Sequence, residues 1–411
     1  MPRKRALLTV FLVVLVDLIG FGIVLPHLAF YAERMGGTPL QIGLLYSAYS
    51  IAQLVFSPLW GSLSDRVGRR PVMLISTAGA VLAYLFFAYS RSLAWLFAAR
   101  LFAGVMAGNI STAQAYIADV TPPEERTRGM GLLGAAFGIG FVIGPALGAG
   151  ILRLTWAPSG DANPYAALGF FAAALSAVSF VLVWATLPES LKERVPEQGL
   201  RVVRSSVFSP GFWRDVAAAG ASSPVFGSLL LSAFLLAFGQ SSLYGAFPLF
   251  CAQRLALSPG RVGLLYVWMG LVAVIVQGGM IRPLERRFGE RPLFLTGAVL
   301  LAAGLAAIPL ASGTLTLAAA LFVMSVGGSL SGPTLTSLLS KQSDPSRYGL
   351  TLGTSQGLSA LGRAIGPSWG GALYARAVGL PFWATAAVLT AAIWIGMRLV
   401  RVHARPAGSP D

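Results

Sequence analysis

Asp17 lies in Phe11-Leu-Val-Val-Leu-Val-Asp-Leu-Ile-Gly20 and is the one carboxylate of fifteen set deep inside an apolar run. An ionisable side chain held in hydrocarbon costs several kcal/mol and marks an ion or proton pathway. Arg100 and Arg363 also fall inside apolar runs. They are permanent cations, too far from the run ends for easy snorkelling, so they face an interior or a partner. One titratable acid with two fixed cations suits proton-coupled handling of a solute. With His27, which can act as a pH-sensitive gate or simply as a satisfied polar residue, the set sums to a neutral or positive charge. That favours an anionic, zwitterionic or lipid-like solute over a cation. Gln53, Asn109, Gln240 and Gln356 add donors and acceptors inside apolar runs, beside the aromatics Tyr49, Tyr244, Phe247 and Trp268. Such residues line a cavity or bind helix to helix, and both roles stay open for each of them.

The elements that must position these side chains follow from composition. The chain is 55% hydrophobic and 11% charged, with a mean hydropathy of +0.73, where soluble domains carry roughly 25% charged residues. About 20 apolar residues make a spanning helix. Twelve such stretches are predicted, near 6–31, 38–63, 71–90, 94–119, 127–153, 164–187, 224–253, 260–282, 291–311, 313–340, 348–376 and 380–400. The first is too long for a cleaved signal peptide, lacks a small-residue cleavage site and carries Asp17, so it reads as a span. Asp17 lies about 16 Å along that helix, mid-depth in a core of roughly 30 Å. Arg100 enters the fourth span from the opposite surface, and its long side chain reaches toward that level. An Asp17–Arg100 pair, broken when Asp17 takes a proton, is therefore expected.

The net charge of +15 does not indicate nucleic acid, because no basic and aromatic binding module is present. Of the 30 Lys and Arg, only Arg34, Arg91, Arg153, Arg254, Arg261 and Arg376 fall on one side, while Arg100 and Arg363 lie in spans. All the others fall on the opposite side, where both chain ends lie, as the positive-inside rule requires of a cytoplasmic surface. Cys251 is alone, so no intrachain disulfide forms, and no lipidation motif accompanies it. Gly353-Thr-Ser355-Gln-Gly357 matches a nucleophile-elbow pattern, but it lies inside a predicted span and only two His exist, so an enzyme is not expected. No cofactor and no metal site is expected.

The chain repeats itself at an offset of about 220 residues, the mark of transporters built from two related halves. Gly43-Leu-Leu-Tyr46 returns as Gly263-Leu-Leu-Tyr266, after turns holding Pro39 and Pro259. Gly68, Arg70 and Pro71 return as Gly289, Arg291 and Pro292, Ile143-Gly-Pro145 as Ile365-Gly-Pro367, and Pro26 as Pro248. The expected organisation is a six-helix half over 1–187, a cytoplasmic linker over 188–223, a second six-helix half over 224–402, and a basic cytoplasmic tail over 403–411. This is an all-α integral membrane fold of twelve transmembrane helices in two pseudo-symmetric six-helix bundles. The substrate site falls between the halves at mid-membrane, reached alternately from each side by rocking.

The loop Gly61-Ser-Leu-Ser-Asp65-Arg66-Val-Gly68-Arg69-Arg70-Pro71 is a tight basic turn anchored by a carboxylate. Gly61 admits a neighbouring helix, Gly68 permits positive φ, and Asp65 can accept from Arg or a helix N-terminus. This pattern resembles the loop motif of the major facilitator superfamily. Gly131, Gly140, Gly144, Pro145 and Gly148 resemble the fifth-span motif of its drug and proton antiporter branch, with Ala149 in place of the second glycine of the closing pair. Arg100, Gly104 and Gly108 resemble the family's arginine motif, and Ala115-Tyr-Ile-Ala-Asp119-Val-Thr-Pro122 resembles the end of the fourth span in tetracycline-type exporters.

The resemblance implies proton-coupled efflux of a drug-like or amphiphilic small molecule, with Asp17 and Arg100 coupling protons. The alternative is an organic anion or lipid-like substrate held by Arg100 and Arg363. Asp65, Arg69 and Asp119 would form a charge cluster that closes the cytoplasmic side, and the fifth-span glycines would seal the halves. A monomer in a cell membrane, in contact with protons, substrate and lipid, is implied, in a bacterial inner membrane. Two departures stand out: Arg286 and Arg282 occupy the repeat positions of Asp65 and Gly61, and the acids of tetracycline exporters on the third and ninth spans are missing. The third-span position reads Val81-Leu-Ala83-Tyr84.

Overall fold

The structure, a computed structural model, describes residues 3–122, 126–155, 163–191, 209–222, 224–341 and 348–404. Apolar runs without water must satisfy their backbone internally, and helices do so. Every regular element among the described residues is a helix.

In chain order the spans are α1 (Arg3–Val24) with α2 (Leu28–Arg34), α3 (Pro39–Val67), α4 (Arg69–Ala88), α5 (Leu93–Met106) with α6 (Asn109–Val120), α7 (Arg126–Thr155) and α8 (Ala166–Thr186). After α9 (Pro210–Ser222) come α10 (Pro224–Ser241) with α11 (Leu243–Leu255), α12 (Pro259–Ile275) running through a π-helical turn Val276–Met280 into α13 (Ile281–Phe288), α14 (Glu290–Ala307), α15 (Thr314–Lys341), α16 (Tyr348–Tyr374) and α17 (Leu380–Ala404). Ten of these helical stretches among the described residues are long and apolar enough to cross a membrane, and Leu380–Ile395 is a shorter apolar one. The stretch expected as a linker holds α9, which packs on α10, while residues 192–208 lie outside the described residues. The expected tail lies outside them from residue 405.

Local chemistry sets the ends. Thr38 and Gln41 form a reciprocal capping box at the start of α3, and Ser92 Oγ accepts from Trp95 N at the start of α5. Gly68 (φ 117°) and Gly289 (φ 81°) occupy matching turns of the two halves in a region closed to side-chain-bearing residues.

Four spans are broken where sequence reading treats them as continuous. The first breaks at Leu25–His27, since Pro26 supplies no N–H. The fourth breaks at Ala107–Gly108, and side-chain donors take the carbonyls so freed: Trp60 Nε1 donates to Val105 O and Ser76 Oγ to Met106 O. The seventh breaks at Ser242 and the eighth loosens into the π turn. Pro248 stays inside α11, so the Pro26–Pro248 repeat does not carry the break with it.

Small residues set the packing within each half. A methyl group on Gly140 would lie 2.6 Å from Leu18 Cβ, one on Gly144 2.7 Å from Gly22 Cα, and one on Gly148 2.8 Å from His27 Cε1. In the second half Gly362 and Gly366 bring α16 against Phe234 and Phe238 of α10 in the same way. The glycines expected to seal the two halves therefore seat α7 on α1 within one half. Gly131 lies in α7, with its surroundings outside the described residues.

The halves meet along two seams, α3 on α16 and α7 on α12. The first is tight where Gly43 meets Pro367 and Gly371, and where Ser368 N donates to Ser47 Oγ at 3.1 Å. The second is carried by the other face of α7, with Val142 on Gly270 and Ala149 on Gly263. These contacts lie toward the end holding Thr38 and Ser258, here the far end. At the opposite, basic end, which holds Arg69 and Arg286, an added side-chain carbon on Gly61, Gly134, Gly278 or Gly353 would meet no atom within 4 Å. Among the described residues the two halves touch toward the far end, and these glycines of the basic end stand free.

Candidate functional site

Gly104 lets α5 lie against Tyr49 and Ala52 of α3, since any side chain there would collide with the Tyr49 carbonyl. One turn earlier, Arg100 is 5% exposed, and its guanidinium stacks over the Tyr49 ring at 4.5 Å from the centroid. A cation over a ring face gains roughly 0.5–2 kcal/mol, the upper end when desolvated. Tyr49 also lies beside Phe21 at 5.4 Å, which in turn meets Phe141 edge-on at 6.0 Å. The expected Asp17–Arg100 ion pair does not form. Asp17 Oδ1 and Arg100 Nε are both buried without a hydrogen-bond partner. Depth brings the two residues to one level, but the turn of each helix sends Arg100 onto Tyr49.

Tyr84 lies in the third-span stretch Val81-Leu-Ala83-Tyr84, where no acid is present. A side chain on Gly20 would lie 3.0 Å from its hydroxyl, and Tyr84 and Tyr49 are both within electrostatic reach of Asp17. From the other half, Arg363 on α16 lies within reach of Tyr49 and Tyr244, and Tyr244 meets Tyr46 ring to ring at 6.0 Å. Arg100 thus rests on Tyr49, and Arg363 acts on the same ring electrostatically from the other half. Neither makes a salt bridge with a carboxylate among the described residues. Tyr46 and Tyr84, which the sequence reading does not place at the site, both lie within electrostatic reach of Arg100; the one available signal is that Tyr46 sits one turn from Tyr49.

The remaining candidates are scattered. His27 is fully buried between packed helices: Nδ1 donates to Ile23 O at 2.9 Å, and its ring lies against Gly148 and Gly263, so it does not line a cavity. Asn109 is buried at the first turn of α6. The Gln240 amide points at Gly328 of α15, while Gln356 is exposed on the basic half of α16 and Gln53 is half-buried on α3. Gly353-Thr-Ser355-Gln-Gly357 lies inside continuous helix α16, with no strand-turn-helix elbow. Among the described residues no group of three His, Cys, Asp or Glu is placed to hold a metal.

The expected gating residues do come together. Arg69 bridges Asp65 Oδ1 at 2.5 Å and Asp119 Oδ2 at 3.0 Å, and donates to Ser64 Oγ at 2.6 Å. A residue not foreseen completes the cluster: Glu189, just after α8, accepts from the backbone N–H groups of Arg69 and Arg70 at 2.9 and 3.1 Å. It caps α4 and favours its positive end. All these partners belong to one half, joining the basic ends of spans two, three, four and six. The second half carries the same bridge with its signs exchanged. Glu290, in the place of Arg69, pairs with Lys341 at 2.8 Å.

A sequence profile of the Major Facilitator Superfamily matches residues 10–281 and 229–411. Human major facilitator superfamily domain-containing protein 10 is 30% identical, over 97% of this chain and 92% of that protein. The class C tetracycline resistance protein of Escherichia coli is also 30% identical, over 91% of each. The solved structure of the human organic anion transporter MFSD10 (TETRAN) superposes with a TM-score of 0.72 at 28% identity, covering 96% of this chain and all of that one. A bacterial homologue of the lysosomal transporter Spinster, solved inward-facing and unoccupied, shares the fold at a TM-score of 0.78 and 14% identity, covering 100% of this chain and 99% of that one. The chain belongs to the major facilitator superfamily, as a multi-pass membrane transporter and not an enzyme.

Proposed function

We propose that this transporter carries an amphiphilic organic anion by alternating access, coupled to protons through Asp17. The observation that carries the reading is the pair Arg100 and Arg363. These cations come from opposite halves, Arg100 rests on Tyr49 while Arg363 lies within electrostatic reach of it, and neither pairs with a described carboxylate. Arg100 is buried and Arg363 half-buried; a cation so placed without a counter-charge is costly, and a bound anion would relieve that cost while touching both halves at once. Phe21, Tyr49 and Phe141 offer ring faces to an apolar body. The likeness to the human organic anion transporter MFSD10 (TETRAN) supports the same substrate class.

Asp17 has an unpartnered buried carboxyl oxygen beside Tyr49 and Tyr84, which suits a group whose proton comes and goes with conformation. The basic end faces the cytoplasm, with both chain ends there, and the protein works as a monomer in a cell membrane, in bacteria the inner membrane. Asp65, Arg69 and Asp119 keep the helix ends of the first half in register while that half rocks.

Efflux of a neutral or zwitterionic drug is the second reading, favoured by the aromatic surroundings of Asp17 and the tetracycline resistance relatives. Proteoliposomes with an imposed pH gradient, tested with anionic, zwitterionic and cationic amphiphiles, separate the two. The proposal expects anions to be transported and to lose transport in Arg363→Gln. Transport of cations alone would overturn it.

A further inference from the structure

The two halves start their second spans differently. In the first half Thr38 and Gln41 close the start of α3 with a reciprocal capping box. At the repeat offset of about 220 residues, Ser258 stands in the place of Thr38 and Arg261 in the place of Gln41. An arginine carries donors alone, so it cannot accept from the helix end as glutamine does. The Ser258 side chain makes no capping bond either. The N–H groups of Gly260 and Arg261 have no partner inside the helix. The start of α12 thus leaves these donors, and its partial positive charge, to an acceptor from outside.

That helix start forms one wall of a cavity of about 330 Å³ at the far end, lined by Ser258, Pro259, Gly260 and Arg261 of the second half and by Leu152 and Arg153 of the first. A cavity of this size falls within the range of small-molecule sites. Both arginines are exposed, and neither forms a salt bridge among the described residues. Glu33, the one described carboxylate at that end, accepts from Gln253 at 3.3 Å and does not line the cavity. Two cations lining one cavity repel each other unless an anion lies between them. One turn deeper, against Gly148 and Gly263, His27 is fully buried with Nε2 unpartnered and facing the Pro259 backbone. The floor therefore holds a further polar atom in want of a partner.

We propose that this cavity is a second anion site, apart from Arg100 and Arg363, which takes a phosphate-type oxyanion between Arg153 and Arg261 on the start of α12. Guanidinium forks and helix N–H groups both match the oxygens of such a group. Because Arg153 belongs to the first half and Arg261 to the second, one bound oxyanion touches both. A soluble phosphate and the headgroup of a lipid in the far leaflet offer the same chemistry.

The test uses full-length protein in a maltoside detergent, with a fluorophore on Leu154→Cys. That position is 89% exposed beside Arg153, while Cys251 is fully buried and stays unlabelled. Inorganic phosphate and phosphatidylglycerol are titrated separately at fixed ionic strength. A saturable signal with phosphate assigns a soluble oxyanion, one with phosphatidylglycerol alone assigns a headgroup, and either supports the site. Arg153→Gln should raise the half-saturating concentration about tenfold or more, as loss of a charge-assisted bond does. Ser258→Thr with Arg261→Gln rebuilds the capping box of the first half, so it should unfold at no lower temperature than the parent and yet lose the signal. Should that double variant unfold earlier, Arg153→Gln, at an exposed position, decides. No signal with either titrant, or an unchanged half-saturating concentration in Arg153→Gln or in a stably folded double variant, would overturn the proposal.

Discussion

Asp17 and Arg100 share a depth but not a direction, and that difference separates what a sequence holds from what a fold decides. Depth follows from counting residues at 1.5 Å each, so both were legible as mid-membrane groups. Azimuth depends on where Gly104 lets α5 press onto α3, which residue types alone do not reveal. Arg100 consequently rests on Tyr49, and Asp17 keeps an unpartnered oxygen. If Asp17 is the coupling acid, Asp17→Asn should retain substrate binding while substrate-driven proton flux, read with a pH dye in vesicles, falls to background. Flux equal to the parent protein's would remove Asp17 from the mechanism. Arg100→Lys should fare worse than its retained charge suggests, because an ammonium lacks the planar surface that stacks on Tyr49. A loss of roughly tenfold in anion transport is expected, corresponding to about 1.4 kcal/mol.

Among elements, the twelve spans were readable because long apolar runs admit only helix in lipid, and the repeat exposed the two halves. Interruptions were less legible. Pro26 announces a break, yet Ser242 and the Val276–Met280 π turn carry no comparable signal, and Pro248 sits in unbroken helix. The basic-end cluster was readable through Asp65, Arg69 and Asp119, but Glu189 was not, because only folding returns the end of α8 to the start of α4. Losing a capping acceptor costs typically about 1 kcal/mol. Glu189→Ala should therefore lower the unfolding temperature in detergent, while Glu189→Gln, which keeps an acceptor oxygen, recovers part of the loss. Equal melting of both variants with the parent would show that α4 does not depend on this cap.

For the molecule as a whole, two seams meet toward the far end and, among the described residues, leave glycines of the basic end free, so a conformational equilibrium between the halves can be biased by volume at chosen points. Ala149 is 2% exposed, with its β-carbon 3.1 Å from where a side chain on Gly263 would begin. It is also the position where the fifth-span motif departs from glycine. The contact is already filled, and overpacking a filled site costs typically about 1–3 kcal/mol. Only the far-end-closed state pays that penalty, so the ratio of the two states should move about 5- to 150-fold toward the far-end-open one. Ala149→Leu should therefore raise the labelling rate of Ser47→Cys and slow labelling of a cysteine placed on the basic end at Gly353. Gly278→Leu should shift both rates the other way, since its volume is added where the present state has room. Two single substitutions of the same kind, on facing helices of one seam, then drive the carrier in opposite directions. Movement of both labelling rates in the same direction would mean that the halves do not rock as rigid bodies about the central site.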